Sequence, residues 1–406
     1  MVKYSNKKHK PWKMLVYLFL IQLFIAFVAR SIAPLGIVIG EDLQLTMAEI
    51  GMFPAALFLG QSLVSMPAGM LTDKVGSRRM ILYITLILSG SFFVMSFASS
   101  FVLIMMMIVI SGIAYGASHP TTNRGIVYWF KANERGTAMG FKQMGVTLGS
   151  ASAALLLLPL ASHLGWQIAV LVASLSLLII GLIIYLVYHE PEQHTYPSSG
   201  KGKSANILSL LRNKGLMLVT FSAMLLSGSQ MILNTFIVLF AHERLEISLV
   251  LSGVLLGVAE VGGSLGRLCW GIISDRFFAG KRVVVLLLIS ILVAIQSVIT
   301  SLLPVGTSFY VVAIVVFIFG LGTSGFNGVW MNATTEMVQK SSSGIATGVS
   351  ITFGSWGAIL FPPIFGSIVD WTDSFSFGWI FVMFLMIMSI ISLSFVKKLT
   401  KEPEQS

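Results

Sequence analysis

The sequence predicts an all-α membrane protein of twelve transmembrane helices, arranged as two pseudo-symmetric six-helix bundles. Three observations carry this. First, long apolar runs recur along the whole 406-residue chain, which is 56% hydrophobic and only 10% charged. A soluble protein carries about a quarter charged residues, and apolar runs of about 18 or more mark helices that cross a bilayer. Second, the runs are continuous, without the alternation that barrel strands show. Lipid offers backbone N–H and C=O groups no partner, so helices are the remaining choice. Third, a charged, glycine-punctuated link, Gly69-Met-Leu-Thr-Asp73-Lys-Val-Gly76-Ser-Arg78-Arg79, joins two runs. A looser copy, Gly271-Ile-Ile-Ser-Asp275-Arg276 and then Gly280-Lys281-Arg282, joins two others about 200 residues on.

In chain order the predicted spans are 14–39, 47–72, 79–99, 101–129, 135–162 and 165–188, then 215–241, 247–273, 282–303, 308–335, 341–369 and 376–396. Span 1 is too long for a signal-peptide core and reads as a retained helix. Residues 190–214 hold Pro191, Pro197, Ser198, Ser199 and Gly200, the composition of a flexible linker. They divide the chain into an N-terminal bundle (1–189), the linker (190–214) and a C-terminal bundle (215–406). Gly136-x-x-x-Gly140 opens span 5 and Gly344-x-x-x-Gly348 opens span 11. Small residues four apart let helix backbones approach closely, so this echo predicts matching contacts in the two halves.

Basic residues set the orientation. Of the 26 Lys and Arg, 21 fall at the termini, in the linker, or in the links after spans 2, 4, 8 and 10, and four lie within spans. The opposite links carry Glu41, Asp42, Glu243, Glu246, Asp370 and Asp373, with Arg244 the one cation among them. By the positive-inside rule both termini and the linker are cytoplasmic, and the chain is a multi-pass protein of the cell membrane. The net charge of +10 is therefore a topology signal toward the lipid bilayer, including the basic N-terminus (Lys3, Lys7, Lys8, Lys10, Lys13). Nucleic acid is excluded as a partner for want of a soluble domain to bind it. A single cysteine, Cys269, rules out an internal disulfide. There is no phosphate-cradling loop and no cluster with metal-ligand spacing. No enzyme chemistry, metal or other cofactor is expected, and the chain is expected to act as a monomer.

The motifs resemble a known family. Gly69-x-Leu71-x-Asp73-x-x-Gly76-x-Arg78-Arg79 between spans 2 and 3, with its weaker copy between spans 8 and 9, is similar to the signature link of the major facilitator superfamily. Arg30 in span 1, Pro67-Ala-Gly69, Pro120, Trp129-Phe130 and Glu134-Arg135-Gly136-Thr-Ala138 resemble the organic anion:cation symporter group. Lys131 stands where that group usually has a proline, and span 4 shows Arg124 with His119 and Asn123 where an acid often couples protons. Arg267-x-x-x-Gly271-x-x-x-Asp275 is similar to monocarboxylate and oxalate porters, whose span-8 arginine holds a carboxylate; Gly263 stands where their acid usually precedes it. The resemblance implies a gating hinge of Gly69, Asp73, Gly76, Arg78, Arg79, Gly271 and Asp275. Within it Gly69 would permit close contact with a helix of the other half, and Asp73 would face a helix N-terminus and nearby cations.

Charges inside the membrane point to a site, because each is costly to bury. Arg30, Arg124, Lys142 and Arg267 lie within spans against one interior acid, Glu260. A cavity with surplus positive charge calls for an anion. Arg30 suits planar carboxylate recognition, or else snorkels toward headgroups. The same two fates are open to Arg124 and to Lys142, beside Gln143. Arg267 binds the anion or bonds the hinge region at Asp275. Glu260, seven residues before Arg267 and roughly 10 Å along the helix, is the first candidate for the coupling proton. His119 could relay it, its ordinary pKa lying near neutrality, or stand as a hydrogen-bonded spectator. Gln230 and Asn234 share a face of span 7, and Asn327 lies in the Gly-rich span 10; each bonds substrate or a neighbouring helix.

The expected function is secondary transport of a small organic anion, a carboxylate, taken up with a proton or other coupling cation by alternating access. The rival is drug:proton antiport, for which cationic drugs would want interior acids. A non-transporting sensor or scaffold would want a soluble domain, which is lacking.

Overall fold

The computed structural model describes residues 10–131, 134–190, 207–339 and 343–399. The N-terminal Lys3, Lys7 and Lys8, most of the 190–214 linker and the tail beyond Leu399 lie outside the described residues. The chain is helical without strands among the described residues, and twelve helices are long and apolar enough to cross a membrane. They are Pro11–Leu43, Met47–Val64 (within the helix Met47–Val75), Ser77–Met95, Phe101–Trp129, Arg135–Leu164, Trp166–Val187, Lys214–Arg244, Leu249–Arg276, Arg282–Ser301, Phe309–Glu336, Ile345–Thr372 and Phe375–Lys397. Each overlaps one predicted span, and the span numbers are kept.

Helix starts are set by side chains that satisfy the first, otherwise orphaned N–H groups. Ser100 accepts from Leu103 N, Asn213 from Leu216 N and Ser248 from Leu251 N. Thr46 and Glu49 cap the span 2 helix reciprocally, Glu49 Oε2 accepting from Thr46 N at 2.9 Å and Thr46 Oγ1 from Glu49 N at 3.2 Å. Among the described residues, spans 1 and 10 lose helical structure part-way, while spans 5 and 7 only widen into π-helix at Ala153–Leu157 and Phe240–Arg244. Span 1 breaks into Lys10–Ala29 and Ile32–Leu43 at Arg30–Ser31. The cause is Pro34, which lacks an N–H for the Arg30 carbonyl and crowds it. Span 10 breaks into Phe309–Thr323 and Asn327–Glu336 around Ser324.

The chain packs as two compact units, Met1–Val38 with Ala56–Tyr196, and Ile39–Ala55 with Pro197–Ser406. In the first unit span 1 packs on span 5 and span 3 on spans 4 and 6. In the second, span 7 packs on span 11 and span 9 on span 12. The pairings 1–5 and 3–6 recur as 7–11 and 9–12, which is the internal repeat. Segment Ile39–Ala55 joins the second unit through Asp370 of span 11, whose carboxylate accepts from Met47 N and Ala48 N at 2.8 Å each.

The glycines that bring helices together are not those expected. A Cβ at Gly136, Gly140 or Gly348 would meet no described atom within 4 Å, and the side of Gly344 lies outside the described residues. The close approaches fall further along the same helices. A Cβ at Gly149 would strike the Leu23 carbonyl of span 1, and one at Gly357 the Met224 carbonyl of span 7. The repeat is therefore real, but the contact sits where the helices cross rather than at their ends.

Candidate functional site

In the first unit, one face of span 4 gathers the polar groups. Residues 115, 119 and 122–123 follow the i, i+4, i+7/8 spacing of one helix face. Arg30, at the break in span 1, donates from Nε to Tyr115 Oη at 3.2 Å. The Tyr115 and His119 rings meet edge to face, with centroids 6.2 Å apart. One turn on, Lys142 of span 5 donates from Nζ to Asn123 Oδ1 at 2.8 Å and to Thr122 Oγ1 at 3.4 Å. Lys142 is 2% exposed. Both its partners are neutral, and no described carboxylate pairs with it. An ion out of water costs several kcal/mol, normally offset by a counter-charge.

Arg124 goes elsewhere, although it adjoins Asn123. A step of one residue turns about 100° round the helix, and that step carries its guanidinium to the hinge. It pairs with Asp73 at 3.2 Å, donates to the Thr72 carbonyl and to Tyr128 Oη, and lies over the Tyr128 ring at 4.9 Å. At the start of span 3 the carboxylate on the helix N-terminus is Glu190, which accepts from Ser77 N and Arg78 N. Gly76 turns the chain there with φ 90°, a conformation that favours glycine. Arg78 donates to the Tyr185 carbonyl at 2.9 Å and covers its ring at 5.0 Å. Just beyond span 6, burial pushes the Tyr188 phenol above its ordinary pKa, and the nearby Glu190 charge adds to this. A Cβ at Gly69 would meet no described atom within 4 Å.

In the second unit, the break in span 10 is the focus. Ser324 Oγ accepts from Gln230 Nε2 at 2.9 Å, and its carbonyl accepts from Arg267 Nε at 3.1 Å and Asn327 Nδ2 at 3.2 Å. Glu260, 1% exposed, accepts from Asn234 Nδ2 at 3.2 Å. Position 263 favours glycine itself, because any Cβ there would strike Ser324 Cβ. The second hinge is closed by Arg282, which pairs with Asp275 at 2.6 Å and with Glu336 at 3.3 Å and donates to Ser274 Oγ at 2.7 Å. Asp275 thus takes Arg282, while Arg267 turns to span 10.

The structure brings Arg30, His119 and Lys142 to one face of span 4, and Gln230, Arg267 and Asn327 to Ser324. Sequence reasoning missed Gln22, Tyr115 and Thr122 in the first unit and Ser324 in the second. Gln22 carried a signal, as the one amide in the apolar run Met14–Ala29.

A duplicated helical body with buried polar side chains from several spans in each unit is the architecture of a membrane carrier. The chain belongs to the Major Facilitator Superfamily, whose model matches residues 18–362; it is a membrane transporter rather than an enzyme. It is 22% identical to a probable galactarate/D-glucarate transporter, GudP, of Bacillus subtilis, over 99% of this chain and 97% of that one. It is 24% identical to a probable hexose phosphate transport protein of Chlamydia trachomatis, over 99% of this chain and 94% of that one. Among solved structures, a bacterial homolog of the human lysosomal transporter Spinster superposes with a TM-score of 0.80 at 16% identity, covering 97% of this chain and 99% of that one. At that identity the likeness speaks for the fold alone.

Proposed function

We propose that this chain is a secondary active transporter of a small organic anion, a carboxylate, taken up with a proton by alternating access. The observation that carries the reading is Lys142, a buried ammonium held, among the described residues, by the neutral Asn123 and Thr122. A buried cation with neutral partners is completed by an anion, and Arg30 adds a second cation along the same face of span 4. The relatives support an anionic cargo, one being named for sugar diacids and the other for hexose phosphates. Within the second unit, Arg267, Gln230, Asn234 and Asn327 are the substrate-binding candidates. Glu260 is the coupling acid and His119 the relay; proton entry would offset the anion's charge. Asp73, Arg78, Arg79 and Asp275, with Gly69, Gly76 and Gly271, form the gating hinges. The protein would sit in the cell membrane with both termini in the cytoplasm, since basic residues gather in the corresponding links.

The test is uptake by reconstituted vesicles under an imposed proton gradient. Carboxylate uptake is expected to rise with the gradient and to be abolished by Arg30→Gln; unchanged uptake in that variant would defeat the assignment. A second reading, drug:proton antiport, is favoured by one observation, the burial of Glu260. It predicts that disrupting the protein sensitises cells to lipophilic cations while carboxylate uptake persists.

A further inference from the structure

We propose that Gln22 is a specificity-determining residue of this site, taking a hydroxyl group of a hydroxylated carboxylate whose acid group lies on Lys142. The inference rests on the anion reading above. Gln22, in span 1, is 0% exposed, and its Nε2 has no hydrogen-bond partner among the described residues. Its Oε1 lies 3.1 Å from Thr122 Oγ1, the same hydroxyl that Lys142 Nζ reaches at 3.4 Å. The unmet amide and the buried ammonium therefore share a neighbour. The stem of Gln22 is held in place, since spans 1 and 5 are pressed together beside it at Gly145, where an added Cβ would stand 3.4 Å from Gln22 Cβ.

Which amide atom is unmet depends on one proton. The Thr122 hydroxyl has a single hydrogen to donate. The Ser118 carbonyl, at 2.8 Å, is its nearer acceptor and lies one turn back, a common bond for threonine in a helix. If the proton goes there, Thr122 accepts from Gln22, the amide is turned over, and its carbonyl oxygen is the unmet atom. If the proton goes to Gln22, the amide NH2 is unmet. Either way one buried polar atom lacks a partner, which is costly. A carboxylate oxygen only accepts and answers one of these arrangements. A hydroxyl both donates and accepts and answers both. The ligand that leaves nothing unmet carries an acid group for Lys142 and a hydroxyl for Gln22.

The test uses the purified protein in vesicles and two pairs of acids that differ only in hydroxyls, malate with succinate and glucarate with adipate. In Gln22→Met, close in shape to the native residue, kcat/KM for malate and glucarate is expected to fall about 10-fold or more, with succinate and adipate within about twofold. The unfolding midpoint is expected to hold or rise, since an unmet amide is removed. Equal losses for both members of a pair, or an unchanged preference, would overturn the proposal. Gln22→Glu keeps the shape and places an acid beside Lys142. It is expected to depress all four acids alike, and wild-type uptake in that variant would also overturn the proposal. Wild-type vesicles that import none of the four would remove the anion reading itself, and the role of Gln22 with it. Uptake of all four with Gln22 silent would remove the role of Gln22 alone.

Discussion

Lys142→Met separates a binding lysine from a structural one, because the two roles predict opposite outcomes for stability. The ammonium is 2% exposed and bonded to Asn123 Oδ1 at 2.8 Å and Thr122 Oγ1 at 3.4 Å. A hydrogen bond from a charged donor to an anion contributes about 1.5–3 kcal/mol. At about 1.4 kcal/mol per tenfold, its loss weakens anion binding about 10- to 150-fold. Stability should move little. Replacing a buried charge by an apolar side chain of similar length is often neutral or stabilising, while Asn123 and Thr122 each lose one contact. The two effects offset to within about 1 kcal/mol. Isothermal titration with glucarate gives the affinity, and thermal unfolding in the same detergent gives the stability. Unchanged affinity with a collapsed unfolding midpoint would refute the reasoning and make Lys142 a packing residue.

Gly357→Ala should cost about 1–3 kcal/mol, since its Cβ would strike the Met224 carbonyl, whereas Gly348→Ala should be neutral or slightly stabilising; paired unfolding midpoints test this. At the first hinge, Asp73→Asn should cost under about 1 kcal/mol, because its carboxylate is 79% exposed, while Arg124→Gln also loses the Thr72 and Tyr128 bonds and should lower the midpoint more. Glu190→Ala removes the cap on span 3 and should cost about 0.5–2 kcal/mol, read by the same measurement. Burial holds the Tyr188 pKa above that of the unfolded phenol, so the folded state keeps a proton the unfolded state has lost. Stability should therefore fall as pH rises past about 10, and Tyr188→Phe should lose less over that window than the native protein.

Hydropathy, the placement of basic residues and the duplicated link were enough to determine twelve helices in two related bundles. Lipid leaves the backbone one way to satisfy itself, so a string of long apolar runs admits little else. The buried polar groups were legible as candidates, because charges such as Lys142 and Glu260 are costly in an apolar run and stand out there. Tertiary structure alone decided which side chains meet. Asn123 and Arg124 are neighbours in sequence, yet the turn of the helix sends one to Lys142 and the other to Asp73. Gly136 and Gly140 carried the expected spacing, but the crossing point of spans 1 and 5 lies at Gly145 and Gly149. Ser324 gained its role only when span 10 broke beside it. Composition and order along the chain specify what must be buried; the register and rotation of packed helices specify against what, and those are set by the shapes of partners distant in sequence.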